Sequence, residues 1–167
     1  MCIRDSGHTY PGATAPFGAV QLSPDTRVGN WDACAGYHYN DTTLRGFSHT
    51  HLSGTGCIDL GDILFRPTTQ EPSFTNEFFY SPANFSHQDE MASAGYYSVL
   101  LKDEGIKAEL TATPHVGMHR YTYLTGNLAA VIVDMAHSLD NEYIYEAELE
   151  KTADNEITGC LLYTSPS

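Results

Sequence analysis

The sequence predicts an all-β domain, and more specifically an antiparallel β-sandwich that is incomplete. The composition suits strands and turns, with 14 Gly and 11 Tyr among 167 residues. From residue 95 onward, alternating patterns follow one another with short turns and without helical segments between them. Strands joined in this way form antiparallel sheets rather than a parallel α/β sheet. Apolar residues make up 41% of the chain, which is long enough to bury one core.

The first half of the chain is predicted to be mostly loop, because Gly, Pro, Asp, Asn and Thr dominate it. Short apolar stretches predict strands at 17–22, 36–39, 44–50 and 62–66. Residues 67–94 are polar and aromatic, contain three prolines, and are predicted to wrap the surface.

The second half carries clearer patterns. Apolar and polar residues alternate from 106 to 113, which predicts a half-buried antiparallel strand between strands at 96–102 and 116–123. Residues 128–135 are nearly all apolar and predict a strand buried on both faces. Alternation at 143–150 predicts one more strand, although this run also contains good helix formers.

The two ends of the chain do not match the patterns beside them. Residues 1–6 and 160–167 resemble translated adapter sequence of the kind found at the edges of assembled reads. We therefore expect one partial domain at residues 7–159, flanked by non-native residues, in a chain that is an internal fragment.

The charge of the chain restricts its partners. Asp and Glu outnumber Lys and Arg by 21 to 8, for a formal net charge of −13. This charge repels phosphate backbones and anionic lipid, so we expect no nucleic acid partner and no membrane insertion. A neutral sugar or a cation is compatible with it. The four cysteines show no CxxC spacing, which argues against a zinc knuckle.

The stretch 46–62 carries the strongest functional pattern. Two histidines one residue apart lead into a loop of Ser, Gly, Thr and Cys. On an extended strand, His49 and His51 would project from the same face, roughly 6.5 to 7 Å apart. The glycines after them let the backbone approach a ligand closely. This pattern predicts the wall of a polar pocket that contacts hydroxyl groups.

Two other interpretations of the histidine pair stay open. His49 and His51 could be metal ligands on a cupin-like barrel strand, with His38, His87 or Asp59 as a third ligand. A cupin motif would require Glu where this chain has Thr55. Alternatively, both histidines could be hydrogen-bonded strand residues that bind nothing.

Trp31 supports the pocket interpretation, because the only tryptophan lies in a polar, loop-like segment beside Asp32. Aromatic faces stack on sugar rings, and carboxylates bind sugar hydroxyls, although a lone Trp can equally be a core anchor. Asp59 and Asp62 are further candidate carboxylates that could equally cap turns. Inverting glycosidases need two carboxyl groups roughly 6.5 to 9.5 Å apart, and no spacing here singles out such a pair. No Gly-x-Ser-x-Gly elbow is present either.

Several long motifs in order resemble the N-terminal domain of glycoside hydrolase family 92, from about residue 7 to about residue 135. The matching stretches are Gly7-His8-Thr9-Tyr10-Pro11-Gly12-Ala13-Thr14-Ala15-Pro16-Phe17-Gly18, Gln21-Leu22-Ser23-Pro24-Asp25-Thr26, Gly36-Tyr37-His38-Tyr39, Gly46-Phe47-Ser48-His49-Thr50-His51-Leu52-Ser53-Gly54-Thr55-Gly56-Cys57 and Gly95-Tyr96-Tyr97-Ser98-Val99.

The resemblance implies an inverting, calcium-dependent exo-α-mannosidase that acts on mannose-containing glycans. In that family the β-sandwich precedes an (α/α)6 barrel, which supplies the catalytic acid, the catalytic base and most calcium ligands. That C-terminal barrel domain is missing here, so the resemblance implies no catalytic residue in this chain and no activity of the chain alone. The implied substrate contacts, which lie within or beside the matching motifs, are Trp31, Asp32, His49, His51 and Cys57. The resemblance also implies a periplasmic or extracellular location.

Two other classes of function stay open. One is a stand-alone carbohydrate-binding module, which requires a complete sandwich. The other is the cupin-like, histidine-based metal enzyme.

Overall fold

The computed structural model describes residues 7–54, 56–71, 81–126, 128–140 and 144–163. Within these ranges the chain forms thirteen strands and two 3-10 turns, Trp31–Ala33 and His87–Asp89. In chain order the strands are β1 (Ala13–Thr14), β2 (Gln21–Asp25), β3 (Thr43–Leu44), β4 (Gly46–Ser48), β5 (Leu64–Thr68), β6 (Ala83–Asn84), β7 (Glu90–Ser93), β8 (Tyr96–Leu101), β9 (Ile106–Ala112), β10 (Gly117–Tyr123), β11 (Ala130–Asp134), β12 (Glu146–Ala153) and β13 (Glu156–Leu162). No helix in this part of the chain is long and apolar enough to cross a membrane.

The strands form two main sheets. One has five strands in the order β1-β2-β4-β5-β11, and the other has four in the order β10-β9-β8-β7. β3 pairs with β6, and β12 pairs with β13, in two smaller ribbons. Every pair of neighbouring strands is antiparallel. The predicted antiparallel β-sandwich is confirmed.

The core lies between the two main sheets. Leu22 and Phe47 come from the five-stranded sheet, Tyr97 and Leu110 from the four-stranded one, and each is at most 1% exposed. The ring of Phe47 lies 6.5 Å from that of Tyr97 and 6.2 Å from that of Tyr121, measured between centroids. Each large side chain buried in this way contributes roughly 1.5–3 kcal/mol, so this interface holds the sandwich together.

The predictions for residues 96–123 are confirmed. β8, β9 and β10 form a meander joined by short turns, as their patterns indicate. In β9 the apolar positions Ile106, Ala108 and Leu110 are buried, whereas Lys107 and Thr111 are exposed. Period-two alternation finds this strand because one of its faces is covered by the other sheet.

The predictions for the first half are partly wrong. The strand predicted at 17–22 begins only at Gln21, because Gly18 donates its N–H to the Ala15 carbonyl in a turn (3.0 Å). This turn leaves Phe17 fully exposed at φ 57°. No strand forms at 36–39, where Gly36 adopts φ 82°. These apolar residues follow turn geometry rather than strand geometry.

The strand predicted at 44–50 is divided and short. Arg45 separates β3 from β4 and donates its N–H to the Asp25 carbonyl (2.7 Å), and β4 ends at Ser48. His49 and His51 therefore do not share one strand, contrary to the prediction. β5 begins at Leu64 rather than at residue 62, because Ile63 adopts φ 55°.

β11 is an edge strand, so the prediction that residues 128–135 are buried on both faces is wrong. Among the strands that the structure describes, β11 pairs with β5 alone, and Val131 is 41% exposed. An apolar run cannot show whether its strand lies at the centre or at the edge of a sheet.

The predicted strand at 143–150 is confirmed over the helical alternative, since β12 covers Glu146–Ala153; residue 143 lies outside the described residues. Its partner β13 includes residues 160–162 of the predicted non-native flank. That the flanks are non-native stays a prediction, and residues 1–6 and 164–167 are outside the described ranges, as are residues 72–80 of the segment predicted to wrap the surface.

A row of hydrogen bonds crosses from the four-stranded sheet to the five-stranded one through two imidazoles. The Nδ1 of His49 lies 2.6 Å from the Ile63 carbonyl oxygen, and its Nε2 lies 3.2 Å from the Nε2 of His119. A carbonyl oxygen only accepts, so Nδ1 of His49 donates and its Nε2 accepts from His119. The Nδ1 of His119 then accepts from the Tyr121 hydroxyl at 2.8 Å. In this arrangement each imidazole donates from one ring nitrogen and accepts at the other, which requires both imidazoles to be neutral.

Burial of the row agrees with this neutral form. Burial, with the neighbouring His49, lowers the pKa of His119 to about 3. Burial also lowers the pKa of His49, despite the opposing hydrogen bond to Ile63. An unfolded histidine has a pKa of about 6.5, so between pH 6.5 and 3 the unfolded chain binds protons that the folded chain does not.

We therefore expect the free energy of unfolding to fall as pH falls below 6.5. The slope from one such histidine reaches at most about 1.4 kcal/mol per pH unit. The free energy of unfolding, measured with urea between pH 7 and 4, should depend less steeply on pH in the H119Q variant than in the parent chain. The matched control is H115Q, which removes an exposed imidazole from the turn before β10 and should keep the parent slope. Equal slopes for H119Q and the parent would contradict the neutral pair.

Candidate functional site

A buried carboxylate at the end of β2 organises the loops on one side of the sandwich. Asp25 is 0% exposed and accepts hydrogen bonds from three side chains. His51 Nε2 lies 2.8 Å from its Oδ1, while His137 Nε2 and Ser48 Oγ lie 2.9 Å and 2.5 Å from its Oδ2. We call Asp25, Ser48, His51 and His137 the Asp25 cluster. It joins the ends of β2 and β4 to two loops.

The hydrogen-bond pattern gives the charges in this cluster. His51 Nδ1 faces the Gln21 carbonyl oxygen at 2.8 Å and must donate to it, while Nε2 donates to the carboxylate. The ring therefore donates from both nitrogens, as an imidazolium does. Burial alone would raise the pKa of Asp25. The charge of His51 and hydrogen bonds from both histidines instead hold that pKa well below its ordinary value.

The cluster also fixes the loop that carries Trp31. A side chain at Gly36 would place its Cβ 2.4 Å from Asp25 Oδ1, and the residue adopts φ 82°. Only glycine fits there without strain. The Gly36 carbonyl accepts from the Thr26 N–H at 2.7 Å, which presses this loop against the end of β2.

The Asp25 cluster contains Ser, His and Asp but cannot perform triad chemistry. Ser48 Oγ lies 3.0 Å from His51 Nε2, but the side chain is 0% exposed and donates its proton to Asp25. Both nitrogens of His51 donate to oxygen, so the ring has no free position to accept a proton. The cluster is an anchor for loops and not a nucleophile.

An exposed rim lies beside this anchor. The 3-10 turn Trp31–Ala33 begins at Asn30, whose side chain accepts from the Asp32 N–H at 2.9 Å. The indole of Trp31 is 57% exposed and meets the His8 ring edge-on, with centroids 5.0 Å apart. Cys34 Sγ lies 3.4 Å from the Gly54 carbonyl oxygen, so the described residues 52–54 and 56–57, which we call the 52–57 loop, adjoin this turn.

The predicted site residues divide into two groups. Trp31, Asp32 and Cys57 are exposed on the turn and on the adjoining loop. His51 is 2% exposed and belongs to the Asp25 cluster, and His49 is half-buried in the row that crosses between the sheets. The structure therefore brings the indole and carboxylate to a rim and places both imidazoles beneath the surface.

The metal interpretation gains no support from the geometry. Within the described ranges, no group of three His, Cys, Asp or Glu side chains is arranged to hold a metal ion. Of the suggested third ligands, His38 accepts from the Asn40 N–H at 3.2 Å and His87 lies 2.6 Å from Glu90. These residues alone do not fit a calcium ion or a cupin metal.

A shallow cleft of about 260 Å³ lies near the loop after β11 and is lined by Asp59, Leu60, Asp62, Ser138, Asp140 and Tyr163. Asp59 accepts from the Leu60 N–H at 2.8 Å, and Asp62 accepts from the Thr50 hydroxyl at 2.5 Å. Both carboxylates thus fix the local loop, as the turn-capping interpretation predicts.

Sequence reasoning singled out neither Asp25 nor His137, and it treated His8 and Cys34 only as members of longer stretches. Asp25 stands in Ser23-Pro24-Asp25, where an Asp beside Pro indicates a turn. The distance of 112 residues between Asp25 and His137 leaves no local signal for their contact.

Comparison with known proteins places this geometry in a family. The model of the glycosyl hydrolase family 92 N-terminal domain matches residues 3–166. A family GH92 α-mannosidase from Bacteroides thetaiotaomicron, solved in complex with mannoimidazole, is similar with a TM-score of 0.86 and 42% identity, over 94% of this chain and 22% of that chain. An inverting GH92 mannosidase from the same bacterium shares the fold, with a TM-score of 0.72 and 24% identity over 96% of this chain and 20% of its own.

A secreted glycosidase of Arthroderma benhamiae is 26% identical over 148 residues, which is 82% of this chain and 19% of that protein. The chain thus spans about a fifth of the length of these relatives. From the family match and the similarity of the sandwich, the chain belongs to glycosyl hydrolase family 92, of which it represents the N-terminal domain.

Proposed function

We propose that this domain supplies one wall of the substrate pocket of an inverting exo-α-mannosidase that acts on mannose-containing glycans. The observation that carries the proposal is the exposed Trp31–Asp32 turn beside the 52–57 loop, in a domain 42% identical to part of an α-mannosidase solved with mannoimidazole. An indole face packs on the C–H face of a sugar ring, and a carboxylate accepts hydrogen bonds from its hydroxyls.

The two groups of residues have different roles in this proposal. Trp31, Asp32 and Cys57 contact the terminal mannose directly, because their side chains are exposed. His51 and His49 support that wall from beneath, because their ring nitrogens are engaged within the protein. The direct contact that the sequence predicted for the imidazoles is thereby replaced by an indirect one.

Hydrolysis requires groups that we assign to the C-terminal barrel domain of a longer chain. Inversion needs a carboxylic acid and a carboxylate on opposite sides of the scissile bond. The calcium ion implied by the family resemblance is assigned to that domain as well. An exported, periplasmic or extracellular enzyme agrees with the secreted relative.

The chain by itself is expected to show no turnover of p-nitrophenyl α-mannoside, because we assign the acid–base pair to the barrel domain. The measurement is release of p-nitrophenol at micromolar protein, with an intact family 92 α-mannosidase as the positive control. Turnover above the buffer rate would contradict the assignment of catalysis to the other domain. Calorimetric binding of mannose by the isolated chain would favour the carbohydrate-binding module.

In the complete enzyme, Trp31→Ala should lower kcat/KM at least about tenfold, or about 1.4 kcal/mol of transition-state binding. The loss follows from removing the indole surface on which the sugar ring packs. Met91→Ala is the matched control, because Met91 on β7 is also 57% exposed. Equal kcat/KM for the Trp31 variant and the parent enzyme would remove Trp31 from the pocket.

A further inference from the structure

Three segments of the chain meet at one buried thiol beside the rim. Cys34 is 2% exposed, and its Sγ lies 3.2 Å from His8 Nδ1 and 3.4 Å from the Gly54 carbonyl oxygen. Gly54 in turn donates its N–H to the His8 carbonyl at 2.6 Å. The contacts close a ring that runs from His8 to Cys34, from Cys34 to Gly54, and from Gly54 back to His8.

The positions of the protons in this closed set of three contacts follow from the groups that can only accept hydrogen bonds. The Gly54 carbonyl can only accept, so the thiol donates its single proton to that oxygen. The sulfur then accepts from His8, whose Nδ1 carries the proton. A thiol that accepts on one side and donates on the other links the two segments more firmly than either weak bond would alone.

The same ring fixes the orientation of Trp31. The His8 imidazole lies edge-on to the indole, with an interplanar angle of 75°. Ala35 donates its N–H to the Gly7 carbonyl at 3.2 Å, and a Cβ at Gly7 would come within 1.6 Å of the Asp32 carbonyl oxygen. The segment that carries His8 therefore lies directly against the turn that carries Trp31 and Asp32.

We propose that Cys34 is a positioning residue, which through His8 and Gly54 holds the Trp31 turn and the 52–57 loop in one fixed arrangement. This inference rests on the proposed function, in which Trp31 and Cys57 contact the sugar. Serine cannot replace the thiol, because its shorter bond to Cβ would leave the oxygen too far from both partners for good hydrogen bonds.

The test uses the purified chain and two measurements that need no substrate. Trp31 is the only tryptophan, so fluorescence quenching by acrylamide reports its exposure directly. Hydrogen exchange at the Gly54 amide reports the contact with His8. In Cys34→Ala we expect exchange at Gly54 to rise about tenfold or more and the quenching constant of Trp31 to change, while the amides of β8 and β9 keep the parent rates. Cys160→Ala, which removes an exposed thiol on β13, should change neither measurement.

Two variants at His8 separate the contact between its imidazole and the Trp31 indole from its hydrogen bond to Cys34. His8→Asn keeps a donor near the Nδ1 position, so it should keep Gly54 protected but alter the fluorescence of Trp31. His8→Phe keeps an aromatic ring but no donor, so it should release Gly54. If Cys34→Ala fails to fold, the comparison of these two variants decides.

Parent-like exchange and quenching in Cys34→Ala would overturn the proposal, as would a uniform rise of exchange that includes β8 and β9. Gly54 exchange that is equal in His8→Asn and His8→Phe would also overturn it. The result for Cys34 can be distinguished from the result for the proposed function. If Gly54 is released as expected but Trp31→Ala leaves kcat/KM of the complete enzyme unchanged, then Cys34 positions the rim but the rim does not bind the sugar.

Discussion

The loops around the Trp31 turn depend on one buried ion pair, between Asp25 and His51. An unpaired carboxylate with no exposure to solvent would be strongly unfavourable, and three hydrogen bonds and an imidazolium offset that cost. Removal of one partner from such a pair typically costs about 3–5 kcal/mol. The pair also determines where the loops lie, whereas the core between the sheets is formed by other residues.

The buried ion pair lies beneath the loops that carry the exposed rim residues. His51 continues from the end of β4 into the 52–57 loop, and Gly36 connects Asp25 to the turn that carries Trp31. His137 brings in the loop that follows β11. Three loops distant in sequence are thus tied to one carboxylate, and the exposed side chains they carry come to lie on one side of the domain. In the proposed function, a wall built in this way is fixed before the sugar binds, which lowers the entropic cost of binding.

The sequence predicted the fold class and the meander at 96–123, because one buried face imposes alternation there. It failed where non-local contacts or turns decide. Phe17 is apolar but exposed at a turn, and the run at 128–135 lies at a sheet edge rather than in the centre.

For the site, the pattern His49-x-His51 singled out this stretch, but strand geometry misplaced both rings because β4 ends at Ser48. The partner of each imidazole comes from a distant part of the chain, from His119 for one and from Asp25 for the other. Local periodicity contains no information about such pairs. Trp31 and Asp32 were easier to place, because a polar segment with Gly and Asn predicts an exposed turn.

Hydrogen exchange on Asp25→Asn tests the role of this carboxylate most directly, because the variant removes the charge while keeping the shape of the side chain. The amides of Gly36, Gly61 and Leu139 report the three loops, because each donates to a carbonyl within or between them. We predict faster exchange at all three, with parent rates at Leu101 and Leu110 in the core. Parent rates in the loops, or an equal rise in the loops and the core, would contradict the role of Asp25 as their common anchor.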